Sequence, residues 1–232
     1  MSQAQADQKF VTEPPNSWHM IRALGGVGLL CYLLIVFTFQ ATLPRITRNK
    51  AEFLEQAIFQ VLPGASTRAS FLVTDTNQIE PFEGEPKGER LVYAGYDDEG
   101  RMVGVALEAR GQGFQDTIVL IYGWSPEREH VIGMEVLESK ETPGLGDKIL
   151  NDPEFRANFE ALDVALTEDG SAIQNPIEAV KYGQKEQAWQ IDGITGATIS
   201  SKAVGDILRA STGELLPTLA GQLDQLERKG NE

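Results

Sequence analysis

Residues 91–137 read LVYAGYDDEGRMVGVALEARGQGFQDTIVLIYGWSPEREHVIGMEVL, and their rhythm is that of a sheet. Four segments rich in β-branched and aromatic residues, 91–96, 101–108, 117–124 and 130–137, are separated by short polar turns. Asp97-Asp98-Glu99-Gly100 and Ser125-Pro126-Glu127 are turn sequences, and connections that short join antiparallel neighbours. Working outward, Asn151-Asp152-Pro153 opens a helix expected to run to about Leu162, with Phe155 and Phe159 on one face. A last helix is expected from Ser200 or Ser201, with Ala203, Val204, Ile207 and Leu208 inward and Gly213 or Pro217 breaking it. Upstream, Pro81, Gly84, Pro86 and Gly88 mark a loop, preceded by an amphipathic helix from Ile46 to Leu62. Leu54, Ala57, Ile58, Val61 and Leu62 form its apolar face, and Pro63-Gly64 ends it. The expected class is α+β, with an antiparallel-rich sheet, flanking helices and no internal repeat.

No charge occurs between Arg22 and Arg45, and ALGGVGLLCYLLIVFTFQATLP (23–44) spans roughly 33 Å as a helix. That length crosses a bilayer. Trp18 and His19 flank it at headgroup depth. The run exceeds a signal peptide's apolar region, and Phe39 occupies the minus-three position before Ala41 where a small residue is wanted. An uncleaved single-pass anchor is therefore expected. Gly25 and Gly28 offer only a weak helix-contact signal, because they do not form a GxxxG pair. Arg45, Arg48 and Lys50 follow the span against Lys9 and Arg22 before it, so a bare positive-inside count puts the large domain in the cytoplasm by about one charge.

The 232 residues carry a formal charge of −14, all of it beyond the anchor because Asp7 and Glu13 balance Lys9 and Arg22. An acidic domain lacks the basic footprint of a nucleic-acid binder. The single cysteine, Cys31, excludes an intramolecular disulfide and a thiolate metal centre, and His19 and His130 have no zinc-ligand spacing. No metal site and no set of catalytic acid–base residues is expected.

Two segments carry candidate chemistry. In Glu141-Thr142-Pro143-Gly144-Leu145-Gly146, Pro-Gly suits a type II turn, and the glycines let backbone amides approach a flat ligand. Taken alone, the segment reads first as an ordinary tight surface turn after a strand, and it does not fit a phosphate P-loop. In Asp192-Gly193-Ile194-Thr195-Gly196-Ala197-Thr198-Ile199-Ser200-Ser201, small residues lead into a helix amino terminus, where free amides and the helix dipole favour a phosphate. Plain capping by Thr198, Ser200 or Ser201 is the alternative.

The second segment resembles the flavinylation motif D-x-x-(S/T)-G-A-T of the FMN-binding domain family found in Rnf and Na⁺-pumping NADH:quinone oxidoreductase complexes. The resemblance implies FMN attached through its phosphate to the hydroxyl of Thr198, with Asp192, Thr195, Gly196 and Ala197 completing the signal read by a flavin transferase that uses FAD. E-T-P-G-L-G matches the family's second hallmark and implies that Glu141, Thr142, Pro143, Gly144, Leu145 and Gly146 lie beside the flavin. Ser139-Lys140 stands where relatives often carry histidine, so no imidazole role is implied.

The similarity covers roughly residues 20–210 and is greatest to the G subunits of Rnf complexes, partly through the continuation Gly146-Asp147-Lys148-Ile149. It implies a polar tail (1–22), an anchor (23–44), a helix and linker (45–90), an FMN-binding core (91–212) and a terminal tail (213–232). It further implies a single-pass protein of a bacterial inner membrane with its domain in the periplasm, against the bare charge count. Function is then that of a redox relay, not a complete enzyme alone, in a complex coupling electron transfer between ferredoxin and NAD to ion translocation. Its partners would be other Rnf-type membrane subunits and the transferase. The C-type member of the Na⁺-pumping complex and a cofactor-free assembly scaffold are the alternatives.

Overall fold

The computed structural model describes residues 17–74, 76–84 and 89–228. The tail before Ser17, with Lys9, Asp7 and Glu13, and Pro86 and Gly88 of the upstream loop, lie outside the described residues. Helix α1 (Ser17–Val61) divides between two units that meet at Ala51 and Glu52. In the first unit its apolar side chains are exposed all round, as with Leu24 and Phe37, and none is buried. A soluble core helix would bury one face. Among the described residues, α1 is the one helix long and apolar enough to cross a membrane, with a mean hydropathy of 2.1 over its most apolar window. Pro44 lies inside the helix, so no break precedes Ile46.

The second unit begins with the last turns of α1, which stop at Val61 before Gly64, whose φ of 99° continues no helix. Strands β1 (Thr67–Val73) and β2 (Ile79–Pro81) follow where a loop was expected. Their turn passes through Asn77 at φ 57°, and Pro81 is tolerated because β2 is an edge strand. The four expected strands are β3 (Leu91–Tyr96), β4 (Met102–Gln112), β5 (Thr117–Ser125) and β6 (His130–Glu138). Then come α2 (Lys148–Asn151), α3 (Pro153–Ala157), β7 (Leu162–Asp163), β8 (Glu178–Val180) and β9 (Gln190–Asp192). Helices α4 (Thr198–Ala220) and α5 (Leu223–Arg228) complete the unit. The main sheet has the order β2-β1-β3-β4-β5-β6-β7 and is antiparallel throughout, while β8 and β9 form a separate parallel pair.

Period-two alternation sends side chains to two covers. Val92, Ala94, Val105, Leu107, Leu120 and Tyr122 face the core that includes Val204, Leu208, Leu215 and Leu216 of α4. Leu91, Tyr93, Ala106 and Ile121 face Ala57, Ile58, Val61 and Leu62 at the end of α1. Gly95 pairs with Gly104, and Gly123 with Gly133. These four glycines lie beneath Val61 and Leu62: a Cβ at Gly133 would sit 2.7 Å from the Val61 Cα, and one at Gly95 2.7 Å from the Leu62 Cδ1. The end of α1 thus beds onto bare backbone across four strands.

Two expected helices differ in extent. The helix from Pro153 stops at Ala157, because the Asn158 side chain turns to the backbone of Asp192 and the Phe155–Phe159 pair closes edge-to-face at 5.2 Å. Conversely, α4 runs through both Gly213 and Pro217 to Ala220. Pro217 removes a hydrogen bond to Gly213, but burial of Leu215, Leu216 and Leu219 on either side outweighs that loss of about 3 kcal/mol.

Candidate cofactor site

Helix α4 starts at Thr198, two or three residues before the expected start at Ser200 or Ser201. Gly196, at φ 85°, reverses the chain so that Ala197 becomes the N-cap, buried and without a side-chain oxygen. None of the three candidate hydroxyls therefore caps the helix. Thr198 Oγ1 donates back to the Ile194 carbonyl at 3.4 Å, and Ser200 Oγ donates to Glu141 Oε2 at 2.6 Å. Ser201 Oγ accepts from the Ile194 amide at 3.3 Å and donates to the Ala197 carbonyl at 3.0 Å. The first turn keeps amides unclaimed by a cap, with the Thr198 hydroxyl exposed above them.

The same turn is tied to the other motif. Glu141, only 5% exposed, follows β6 and receives Ser200 on Oε2 and the Gln115 amide on Oε1, at 3.1 Å. Thr142 Oγ1 donates to the Gln115 side-chain oxygen at 2.9 Å, and Lys140 pairs with Asp116 at 2.6 Å. That pairing pulls the Asp116 carboxyl below its usual range and raises Lys140. Pro143-Gly144 forms the expected turn: Gly144 has φ 76°, and the Leu145 amide donates to the Thr142 carbonyl at 3.1 Å. Leu145 (54% exposed) and Ile199 (59% exposed) present apolar side chains on the two tied segments. Gly146 is buried against Glu141 and Ser200.

Asp192 serves the loop on its other side. Its carboxylate accepts from the Gly183 amide at 2.9 Å and the Gln184 amide at 3.3 Å, while Asn158 brackets its backbone with bonds of 3.0 and 3.2 Å. Lys185 Nζ reaches Asn158 at 3.1 Å, and burial draws its ammonium pKa down. Thr195 and Gly196 are exposed, and Lys148 Nζ donates to the Thr195 carbonyl at 3.5 Å. A cleft of about 610 Å³ opens beside Thr195, with Asp147, Asp152, Glu154 and Asp192 on its walls and Lys148 among them. Four acidic side chains there disfavour a phosphate inside the cleft; the helix start on its rim suits one better.

Sequence reasoning missed Gln115, Ser200 as a tie and Asn158. The close glycines Gly111, at the end of β4, and Gly113, just after it, were the available signal for the first: a Cβ at Gly113 would fall 2.8 Å from the Asp116 carbonyl and still nearer Glu141 Oε1.

The FMN-binding domain family model matches residues 113–212, from this glycine turn into α4. The G subunit of the ion-translocating oxidoreductase complex of Methanosarcina acetivorans is 32% identical over 206 residues, covering 89% of this chain and 95% of that protein. The chain belongs to the G-subunit family of ion-translocating oxidoreductase complexes. The Escherichia coli K12 member is also 32% identical, over 190 residues that cover 78% of this chain and 82% of that one. Among solved structures, Shewanella oneidensis NqrC superposes with a TM-score of 0.62 at 19% identity, over 77% of this chain and 99% of that one. The C-type member of the Na⁺-translocating NADH-quinone reductase from Parabacteroides distasonis gives 0.54 at 20% identity, over 78% and 96%. These structures share the fold: an antiparallel-rich sheet with flanking helices. A family member of this kind, with an FMN-binding domain, is a redox relay of a translocase, and α1 fits the membrane anchoring of such a protein.

Proposed function

We propose that this G-type protein carries FMN covalently, as a phosphoester of Thr198, and relays electrons between its neighbours in the complex. The supporting observation is the start of α4: an exposed hydroxyl with one long internal bond, above helix amides left without a side-chain cap. Asp192, Thr195, Gly196 and Ala197 shape that turn, through the Asp192 bonds to Gly183 and Gln184, the reversal at Gly196 and the buried Ala197. The segment from Glu141 to Gly146, with Thr142, Pro143, Gly144 and Leu145 at or near the surface, lies beside the flavin.

When bound, FMN supplies one- and two-electron chemistry. The chain's residues hold it: Thr198 prevents its loss, the α4 amino terminus balances the phosphate charge, and Leu145 and Ile199 offer apolar contact. On this reading a flavin transferase installs FMN from FAD. The domain faces the periplasm of a bacterial inner membrane, and the assembled Rnf-type complex couples electron exchange between ferredoxin and NAD to ion movement. Intact mass after co-expression with the transferase, followed by peptide mapping, tests the assignment. A single FMN phosphoester on Thr198 supports it, and a flavin-free protein matured beside an active transferase refutes it in favour of a scaffold.

A further inference from the structure

The geometry points to Ser200 and Glu141 as positioning residues that aim the acceptor hydroxyl of Thr198. The inference rests on the proposed phosphoester. Three segments distant in sequence converge on one carboxylate. Glu141 Oε1 takes the Gln115 amide of the β4–β5 turn, and Oε2 takes the Ser200 hydroxyl in the first turn of α4, at 2.6 Å. Glu141 itself opens the Pro143-Gly144 turn. The Glu141–Ser200 contact is tightly enclosed: Glu141 is 5% and Ser200 2% exposed, and a Cβ at Gly146 would lie 2.5 Å from Oε2 and 2.7 Å from Ser200 Oγ. Both carboxylate oxygens thus accept from groups of the protein.

The consequence follows from helix geometry. Residues two apart on an α-helix point about 200° apart, so fixing Ser200 inward turns Thr198 outward. Ala197 provides no side-chain cap to hold this turn; Ser201 braces it internally, against Ile194 and Ala197, and Ser200 ties its helical start to Glu141. Through Glu141 the same bond sets the distance between the acceptor turn and the Pro143-Gly144 turn. The role concerns aim, since neither Ser200 nor Glu141 is exposed to touch the cofactor.

The test uses the full chain co-expressed with a flavin transferase and FAD, comparing Ser200→Ala, Ser200→Thr, Gly146→Ala and Thr198→Ala. Attachment is followed by intact mass over time, and flavin circular dichroism is recorded on the modified fraction. Ser200→Ala is expected to slow attachment tenfold or more and to alter the flavin dichroism. Ser200→Thr, which keeps the hydroxyl but adds a methyl group to the enclosed junction, is expected to attach flavin faster than Ser200→Ala does. Gly146→Ala perturbs the same junction by volume and is expected to reproduce the Ser200→Ala dichroism. Folding is read separately, from far-ultraviolet circular dichroism and the thermal midpoint of the flavin-free proteins. A folded Ser200→Ala protein that is modified at the wild-type rate with an unchanged flavin signal overturns the positioning role. Flavin still attached to Thr198→Ala overturns the phosphoester reading instead, so the two failures are distinct.

Discussion

Replacing Thr198 with alanine separates attachment chemistry from helix stability. The hydroxyl makes one intramolecular hydrogen bond, to the Ile194 carbonyl at 3.4 Å, against about 2.7–2.8 Å for a strong hydroxyl bond. It is exposed, so water replaces that bond at little cost, and its loss is worth well under about 1 kcal/mol. Alanine also has the higher helix propensity, by up to about 0.7 kcal/mol. The two effects oppose each other and leave a net change within about 0.5 kcal/mol, or some 1–2 °C in Tm for a domain of this size. Had Thr198 been the N-cap, the loss would have been about 0.5–2 kcal/mol. Covalent flavin, by contrast, should vanish entirely, because no acceptor oxygen remains at that position. In-gel flavin fluorescence after denaturing electrophoresis measures the first quantity, and thermal unfolding of the flavin-free proteins measures the second. A Thr198→Ala protein that melts more than about 4 °C lower would show that the hydroxyl carries structure after all. Retained ester-linked flavin would refute the acceptor assignment itself.

Four further outcomes are expected. Gly133→Ala must displace backbone at Val61, whereas Gly95→Ala meets the movable end of Leu62, so Gly133→Ala should cost about 3 kcal/mol and Gly95→Ala nearer 1; urea midpoints in the opposite order would contradict the bedding of α1. Gly144→Val, at φ 76° with open space around the position, should cost about 1–2 kcal/mol through backbone strain and shift the flavin spectrum or potential while leaving attachment largely intact; an unchanged spectrum in a folded variant favours a plain surface turn. Burial pushes the Tyr96 phenol up to about 12, above its unfolded value near 10, so its contribution to stability is complete below pH 10 and is lost as pH rises toward 12; Tyr96→Phe should flatten that part of the alkaline decline in denaturation midpoint, and an unaltered slope would count against it. A reporter fused after Glu232 should be active only in the periplasm, and activity confined to a cytoplasmic reporter would reverse the topology.

The sheet was legible where strands buried both faces between strong turns. All six residues of β3 are buried, and the expected and observed limits coincide. Strand β1 was not legible because its first residues, Thr67 and Arg68, are exposed and its ladder comes from β3, across an interval crowded with prolines and glycines. The parallel pair β8–β9 is three residues a side, too short for any periodicity to register. Pro217 misled for a related reason: a local helix-breaking signal yields when leucines on both sides of it pack into a core.

The site was legible as two motifs but not as one object. Each motif is a run of neighbours, and the Gly144 and Gly196 conformations follow from local chemistry alone. What joins them is a buried carboxylate whose partners lie 26 and 59 residues away, and no local pattern encodes that distance. Ser200 shows the ambiguity most clearly. A serine near a helix start reads as a cap, because hydroxyls there commonly accept from backbone amides. Here the helix starts at Thr198, so Ser200 lies inside its first turn and its hydroxyl turns inward to donate to the Glu141 carboxylate. The first-turn amides stay uncapped for a separate reason, that Ala197 at the N-cap has no side-chain oxygen. The tie between elements depends on Glu141, which is why it could not be read from the residues around Thr198 alone.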